Sequence, residues 1–98
     1  EHYTCMVDLF GRAGLFRNVM AIISKMPVYN HFPLWASLLG SCKKWGNVEL
    51  ARLAFNHMIR LDKKCEAAYI CMINIYVASS MQNEAKKIEA MRLGQKFP

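Results

Sequence analysis

Three stretches of this sequence align without gaps and decide the fold: YTCMVDLFGRAGLFRNVMAIISKM (residues 3–26), WASLLGSCKKWGNVELARLAFNHM (residues 35–58) and YICMINIYVASSMQNEAKKIEAMR (residues 69–92). Each stretch opens on an aromatic residue, and these residues, Tyr3, Trp35 and Tyr69, are 32 and 34 residues apart. Apolar residues then follow at the i, i+3, i+4, i+7 spacing of an amphipathic helix. A period near 33 residues is typical of stacked helix pairs.

A turn interrupts each stretch at the same place. A small residue stands eleven positions after the opening aromatic, and these residues are Gly14, Gly46 and Ser80. Glycine is favoured where a helix ends in a left-handed conformation. We expect Pro27 to close the second helix and Pro33 to open the third at its first turn, where the missing N–H costs nothing. The pattern predicts six helices, at residues 2–11, 15–26, 33–44, 47–60, 66–79 and 82–93.

The helices predict an all-α fold, an α-solenoid of three tandem helix-turn-helix repeats. The predicted repeats are residues 1–32, 33–65 and 66–98. One helix pair is too small to bury its apolar face alone, so neighbouring pairs must stack to close a core. Because they lie on the apolar stripe, four aromatic residues are expected in that core: Tyr3, Trp35, Tyr69 and Tyr76.

Composition limits the classes of function. The chain has 98 residues and is 54% hydrophobic, which allows one small domain with a core. Thirteen Lys and Arg against seven Asp and Glu give a net charge of +6, which favours a polyanion partner, RNA first. No apolar run is long enough to span a membrane, and no signal-peptide pattern follows residue 1. The pattern is cut at both ends, so we expect a piece of a longer chain.

The four cysteines indicate neither a metal site nor a redox pair. No two form a C-x-x-C motif, and no histidine stands at zinc-finger spacing from two of them. Cys5 and Cys42 stand among apolar neighbours, so both are expected as small core residues with free thiols. No acid–base pair, nucleophile or metal set is visible, and therefore we predict no catalysis and no cofactor in this chain.

Several strings identify a family. MVDLFGRAG, WASLLGSC, GNVELA and NIY stand in this order at residues 6–14, 35–42, 46–51 and 74–76. With these strings the chain resembles the C-terminal region of plant pentatricopeptide repeat (PPR) proteins, in the subclass with mixed long and short repeats (PLS). The first unit resembles the last long-type repeat, the second the last short-type repeat and the third the first E motif. Residues 95–98 resemble the start of a second E motif.

The resemblance implies a specificity factor for cytidine-to-uridine editing of mitochondrial or chloroplast transcripts. In such proteins upstream repeats bind single-stranded RNA one base per repeat. E motifs are associated with editing-complex proteins, such as multiple organellar RNA editing factors or a deaminase-bearing PPR protein. The zinc deaminase pattern H-x-E…P-C-x-x-C is absent from this sequence. The resemblance therefore implies that a deaminase elsewhere on the chain or in trans performs the chemistry.

Two groups of residues are candidates for RNA contact. In the family a base is read by the residue after the opening aromatic and the residue four before the next one, which are Thr4 with His31 and Ala36 with Cys65. The second position usually carries Asp or Asn, and His31 and Cys65 depart from that. Arg12, Lys43 and Lys44 are expected along one turn edge, where they could contact the RNA backbone.

The end of the last unit is the candidate protein interface. Met81, Met91 and Phe97 are the residues proposed for it, because methionine-rich and uncapped solenoid ends suit protein partners. The same exposed end could pair with a second copy of the chain. An alternative interpretation is a tetratricopeptide-like adaptor with no RNA role. It is favoured by the second unit, where Trp35 and Phe55 fall on that family's spacing.

Overall fold

The computed structural model describes residues 2–26 and 31–96. In these ranges the chain forms six α-helices and no strand: α1 (His2–Arg12), α2 (Phe16–Lys25), α3 (Phe32–Trp45), α4 (Val48–Leu61), α5 (Glu66–Ala78) and α6 (Gln82–Lys96). Every predicted helix is confirmed, and all bounds agree within three residues. The expected role of Pro27 falls outside the described residues.

The turn inside each pair has the predicted backbone. Gly14, Gly46 and Ser80 have φ values of +75°, +74° and +60°, which is the left-handed region. Glycine enters this region without the steric cost that a Cβ brings. On the far side of the second turn, the Asn47 side chain accepts a backbone hydrogen bond at 3.1 Å and caps α4. Pro33 stands in the first turn of α3, as predicted.

The six helices form two layers. Helices α1, α3 and α5 lie side by side, α2 packs against α1, α4 against both α3 and α5, and α6 against α5. Within the described ranges α2 and α4 are further apart, and a groove of about 490 Å³ lies between them. We call α1, α3 and α5 the inner layer and the other three helices the outer layer.

The core lies between the two layers. Trp35, Tyr69 and Tyr76 are buried and Tyr3 is half-buried, in agreement with the prediction for the aromatic residues. The largest fully buried side chains come from all three pairs: Tyr69, Leu34, Leu38, Met72, Val7, Val19 and Cys42. Burial of each large apolar side chain contributes roughly 1.5–3 kcal/mol. Stacking of the pairs therefore supplies the core that one pair alone lacks.

The prediction for one of the two cysteines is wrong. Cys42 is fully buried as expected, whereas Cys5 is exposed on α1. The residues equivalent to Cys5 in the other units, Ser37 and Cys71, are only half-buried, so this column lies at the margin of the core. Within the described residues α1 has an inner-layer neighbour, α3, on one side only, and its margin is open. Burial raises the pKa of the Cys42 thiol to about 12, which makes it unreactive at neutral pH.

An arginine fastens the last helix. The Arg92 guanidinium on α6 contacts Glu66 at the start of α5 at 3.1 Å and Glu89 on its own helix at 2.6 Å. The Arg92 side chain is only 17% exposed, so these charge-assisted contacts are partly shielded from water. They hold the C-terminal half of α6 against the start of α5.

The ring of His57 on α4 stacks on the indole of Trp35 on α3. Their centroids are 4.0 Å apart and the planes are within 3° of parallel. Desolvation, with a smaller contribution from the nearby Arg60, lowers the pKa of His57 from its ordinary value of 6.5. The native stack therefore favours the neutral imidazole.

This shift predicts a pH dependence of stability. The unfolded chain binds a proton on His57 more readily than the native chain does. The contribution of the stack to the free energy of unfolding is therefore complete above pH 6.5 and decreases as the pH drops through 6.5 towards the lowered native pKa. We expect the denaturation midpoint to fall between pH 7.5 and 5.5, and His57→Gln to reduce that fall. His31→Gln, which lies outside the stack, is the control. Equal pH dependence in the wild type and His57→Gln would contradict the assignment.

Candidate nucleic-acid interface

The candidate base-reading residues lie at the N-terminal ends of the inner helices. Thr4 lies in the first turn of α1, and Ala36 is the fifth residue of α3. His31 and Cys65 are the N-cap residues of α3 and α5. Neither N-cap side chain caps its helix by a hydrogen bond. Ala36 and Cys65 pack partly against the core. These four residues therefore share one edge of the inner layer.

The Thr4 hydroxyl is enclosed. Its Oγ1 is shielded from solvent and has no hydrogen-bond partner among the described residues. Such an unsatisfied buried hydroxyl costs free energy. A base could reach this atom only if neighbouring side chains moved. Contact between Thr4 and RNA stays a prediction, and it requires that movement.

The three basic candidates lie at the opposite edge, where the inner helices end. Arg12 is the last residue of α1, and its guanidinium contacts Asp8 at 2.8 Å. Lys43 and Lys44 are in the last turn of α3, both exposed. The indole Nε1 of Trp45 donates a hydrogen bond to the Arg12 carbonyl oxygen at 3.2 Å and so joins the two helix ends. We call Arg12, Lys43, Lys44 and Trp45 the basic edge.

A second polar contact joins α1 and α3 further from this edge. The Ser37 hydroxyl donates a hydrogen bond to the same Asp8 carboxylate at 2.7 Å. Asp8 thus holds both the neighbouring inner helix and the Arg12 guanidinium. This shared carboxylate fixes Arg12 on the surface of the inner layer.

The structure separates the two groups of candidates. Arg12 is eight positions after Thr4 along α1, and Lys44 is eight positions after Ala36 along α3. At 1.5 Å of rise per residue, the two edges are roughly 12 Å apart. The helix C-terminal dipole also favours cations at the basic edge, so their position has a structural reason beside the functional one.

The third pair breaks the pattern. The residues equivalent to Lys43 and Lys44 are Val77 and Ala78, so the basic edge stops after the second pair. Ile70 and Val77 on α5 are 44% and 45% exposed. We call these two residues the apolar strip. The apolar strip was not among the residues predicted from the sequence. One signal for it was present: α5 is apolar on all sides, and such a helix is normally buried on all sides.

The predicted protein-interface residues differ in placement. Met81 is half-buried against the core, whereas Met91 is 39% exposed. Met91 lines a groove of about 390 Å³ with Tyr69 and Lys63. Phe97 falls outside the described residues, and its role stays a prediction.

The described part of the chain offers no metal site. Within residues 2–26 and 31–96, no three His, Cys, Asp or Glu side chains are grouped so that they could hold a metal ion. No helix in the same ranges is long and apolar enough to cross a bilayer.

Comparison with known proteins gives the family. Residues 1–31 and 34–62 match the sequence profile of the PPR repeat, and these ranges contain the first helix pair and nearly all of the second. The chain belongs to the pentatricopeptide repeat family. PPR proteins are in general RNA-binding proteins of organellar RNA processing, without enzymatic activity of their own. The predicted solenoid fold is confirmed with the family.

The curated relatives described here are much longer than this chain, which spans 13–16% of their length. A pentatricopeptide repeat-containing protein of Arabidopsis thaliana is 39% identical over 88 residues, covering 90% of this chain and 13% of the relative. A putative mitochondrial one from the same plant is 40% identical over 97 residues, with 99% and 16% coverage. The chloroplastic protein CRR2 is 37% identical over 91 residues, with 93% and 14%. No solved structure matches the chain.

Proposed function

We propose that this PPR chain is the E region of a PLS-subclass protein that directs cytidine-to-uridine editing of mitochondrial or chloroplast transcripts. The first and second helix pairs are then the last long-type and short-type repeats, and the third pair is the first E motif. Support comes from the PPR match over the first two pairs and from relatives named mitochondrial or chloroplastic. One of these relatives shares the third pair as well, since its match covers 99% of the chain.

The observation that carries the proposal is the change in the inner layer between the second and third pairs. The first two pairs present the basic edge, with three cations that suit a phosphate backbone. The third pair presents the apolar strip, Ile70 and Val77, at the surface. Within the described residues α5 has an inner-layer neighbour, α3, on one side only, so this open margin suits a further unit of the solenoid or a protein partner docked in its place. Support for RNA and support for a protein partner thus come from different units of one scaffold.

In this scheme the chain recruits or positions a deaminase. The partner is an editing-complex protein, such as a multiple organellar RNA editing factor or a deaminase-bearing PPR protein, and it docks on the third pair. Thr4 and His31 are proposed to contact a base of the same RNA, subject to movement around the Thr4 hydroxyl. The target cytidine would be brought close to the deaminase because RNA and protein partner are held by adjacent units.

A second candidate function is a protein adaptor without an RNA role. It is favoured by the apolar strip and by the Met91 groove, both of which suit a protein partner. In this adaptor, the cations of the basic edge would serve only to stabilise the C-terminal ends of α1 and α3 through the helix dipole. The two functions therefore differ in what the cations of the basic edge contact.

Editing can be tested in plants that lack the protein containing this chain. We expect sequencing of organellar transcripts to show one or more cytidines that are no longer converted, and restored conversion when the wild-type protein is returned. Ile70→Ser with Val77→Ser should fail to restore conversion while RNA binding is kept. Arg17→Ser, an exposed outer-layer change, is the matched control. Unchanged editing at every site in the absence of the protein would contradict the proposed function.

A further inference from the structure

Trp45 has a geometry that its packing role does not explain. The chain's other tryptophan, Trp35, is 4% exposed, whereas Trp45 is 51% exposed at the end of α3. A large aromatic ring held in water is costly, because burying apolar area is what stabilises folded chains. Among the exposed large apolar side chains of the described residues, Trp45 is the one aromatic ring.

One face of the Trp45 ring is fixed against the turn of the preceding pair. A Cβ placed on Gly14 would lie 3.0 Å from two of the ring carbons, Cδ2 and Cε2, so the indole rests directly on that glycine. The Nε1–H is satisfied by the Arg12 carbonyl oxygen at 3.2 Å. The hydrogen bond and the packing together hold the ring in one orientation. Binding therefore costs little side-chain conformational entropy at Trp45.

The rest of the ring lies in a basic environment. The Lys44 ammonium lies over the ring, 5.4 Å from its centroid, and Lys43 precedes it on the same exposed turn, so a stacking base would take the place of the ammonium. No ion pair within the described residues engages either lysine. Arg12 is paired with Asp8, yet its side chain is still 74% exposed. Lys44 has no ion-pair partner in the described residues, so it can leave the ring for a phosphate, while Lys43 and the exposed Arg12 guanidinium stand at the same helix ends.

Aromatic rings beside cations are what proteins use to bind single-stranded nucleic acid. A base stacked on an aromatic side chain contributes about 1–3 kcal/mol whatever its sequence, and cations neutralise the adjoining phosphates. A duplex offers such a ring far fewer base faces, because all but its two end pairs are stacked on both sides. We propose that Trp45 is a stacking site for an unpaired base of single-stranded RNA, with Lys43, Lys44 and Arg12 contacting the flanking phosphates.

This inference rests on the proposed RNA contact and adds a site to it. The site lies roughly 12 Å from the candidate base-reading residues, at the opposite edge of the inner layer. Stacking does not discriminate strongly between bases, so Trp45 holds and orients the strand while specificity is supplied elsewhere. The strand would thus cross the inner layer from one edge to the other.

Tryptophan fluorescence provides the direct test. The 98-residue chain is titrated with a single-stranded RNA decamer, and both the emission of the exposed tryptophan and the anisotropy of a labelled decamer are recorded. Stacking predicts quenching of the long-wavelength emission that solvated Trp45 contributes, whereas buried Trp35 changes little. A duplex of the same length serves as the polyanion control and should quench much less.

Two variants at Trp45 separate stacking from packing. Trp45→Leu still covers Gly14 but cannot stack, and it should weaken RNA binding on the order of 5- to 150-fold with an unchanged salt slope. Trp45→Phe loses the hydrogen bond to the Arg12 carbonyl oxygen but keeps a ring, and should retain most of the binding. Circular dichroism melting of each variant verifies the fold.

The outcomes separate this inference from the proposed function. Binding by anisotropy without quenching, or with equal affinity in Trp45→Leu, overturns the stacking site and leaves RNA contact by the basic edge standing. Equal quenching by the duplex also overturns it, because the signal would then reflect bound charge alone. No RNA binding by the chain overturns both the stacking site and RNA contact by these units.

Discussion

Replacing Trp35 with alanine is expected to lower the free energy of unfolding by about 3–5 kcal/mol. The ring is 4% exposed, opens the second repeat, and stacks on His57 across the α3–α4 pair. Removal of the ring leaves a cavity in the middle pair. Both neighbouring pairs pack against this pair. Since natural domains are stable by about 5–15 kcal/mol, a loss of this size is easily measured by urea denaturation.

Trp45→Ala is the matched control for that experiment. It deletes the same side chain at a position that is 51% exposed, so we expect a loss of about 1 kcal/mol, mainly from the contact with the preceding turn. Trp35→Phe gives a second comparison, because the Trp35 Nε1 is enclosed without a partner in the described residues. Phenylalanine removes that unsatisfied donor and should recover most of the stability. A loss below about 1 kcal/mol for Trp35→Ala would show that the repeat register is wrong.

Gly11→Leu is expected to destabilise the chain by roughly 1–3 kcal/mol, the usual cost of overpacking. Gly11 is buried where α1 meets α3, and a Cβ there would lie 2.7 Å from the Ser41 Oγ and 3.1 Å from its Cβ. The larger side chain must push α1 away from α3. The hydrogen bond between Ser37 and Asp8, which crosses the same helix pair, should weaken with it.

Gly40→Leu isolates the packing effect. Gly40 is also inside an inner helix, but it is exposed and a Cβ there meets nothing within 4 Å. Because leucine favours the helix over glycine, this control should be neutral or more stable by about 0.5–1 kcal/mol. Thermal and urea unfolding of the two variants give the comparison. Equal stability of Gly11→Leu and Gly40→Leu would mean that α1 and α3 do not pack as described.

The helices and their turns could be predicted because they depend on local rules. The apolar spacing around Tyr3, Trp35 and Tyr69 marked the buried stripe, and Gly14 and Gly46 marked the left-handed turns. Such features need no knowledge of what each pair packs against. The sequence therefore contained enough information for the fold class and for helix bounds within three residues.

The candidate site depended on contacts between units, which local rules do not supply. Cys5 looks like a core residue in its own helix, but its exposure depends on which helices flank α1. The contact of Trp45 with Gly14 and Arg12 joins residues about one repeat apart and requires the stacking register. Likewise Ile70 and Val77 fit a core helix by composition, and they are exposed because, within the described residues, only α3 stands beside α5 in the inner layer. Cations at equivalent turns, in contrast, were correctly expected near one edge.

The measurement that tests the central claim most directly is the salt dependence of single-stranded RNA binding by two double variants. Lys43→Glu with Lys44→Glu reverses the basic edge, while Lys86→Glu with Lys87→Glu makes the same charge change on the outer helix α6. If the basic edge contacts phosphate, the first variant loses affinity and its slope of log K against log salt flattens by about 0.7 per lost contact, whereas the second changes little. Equal effects of the two variants, or no effect of either, would contradict RNA contact by this edge.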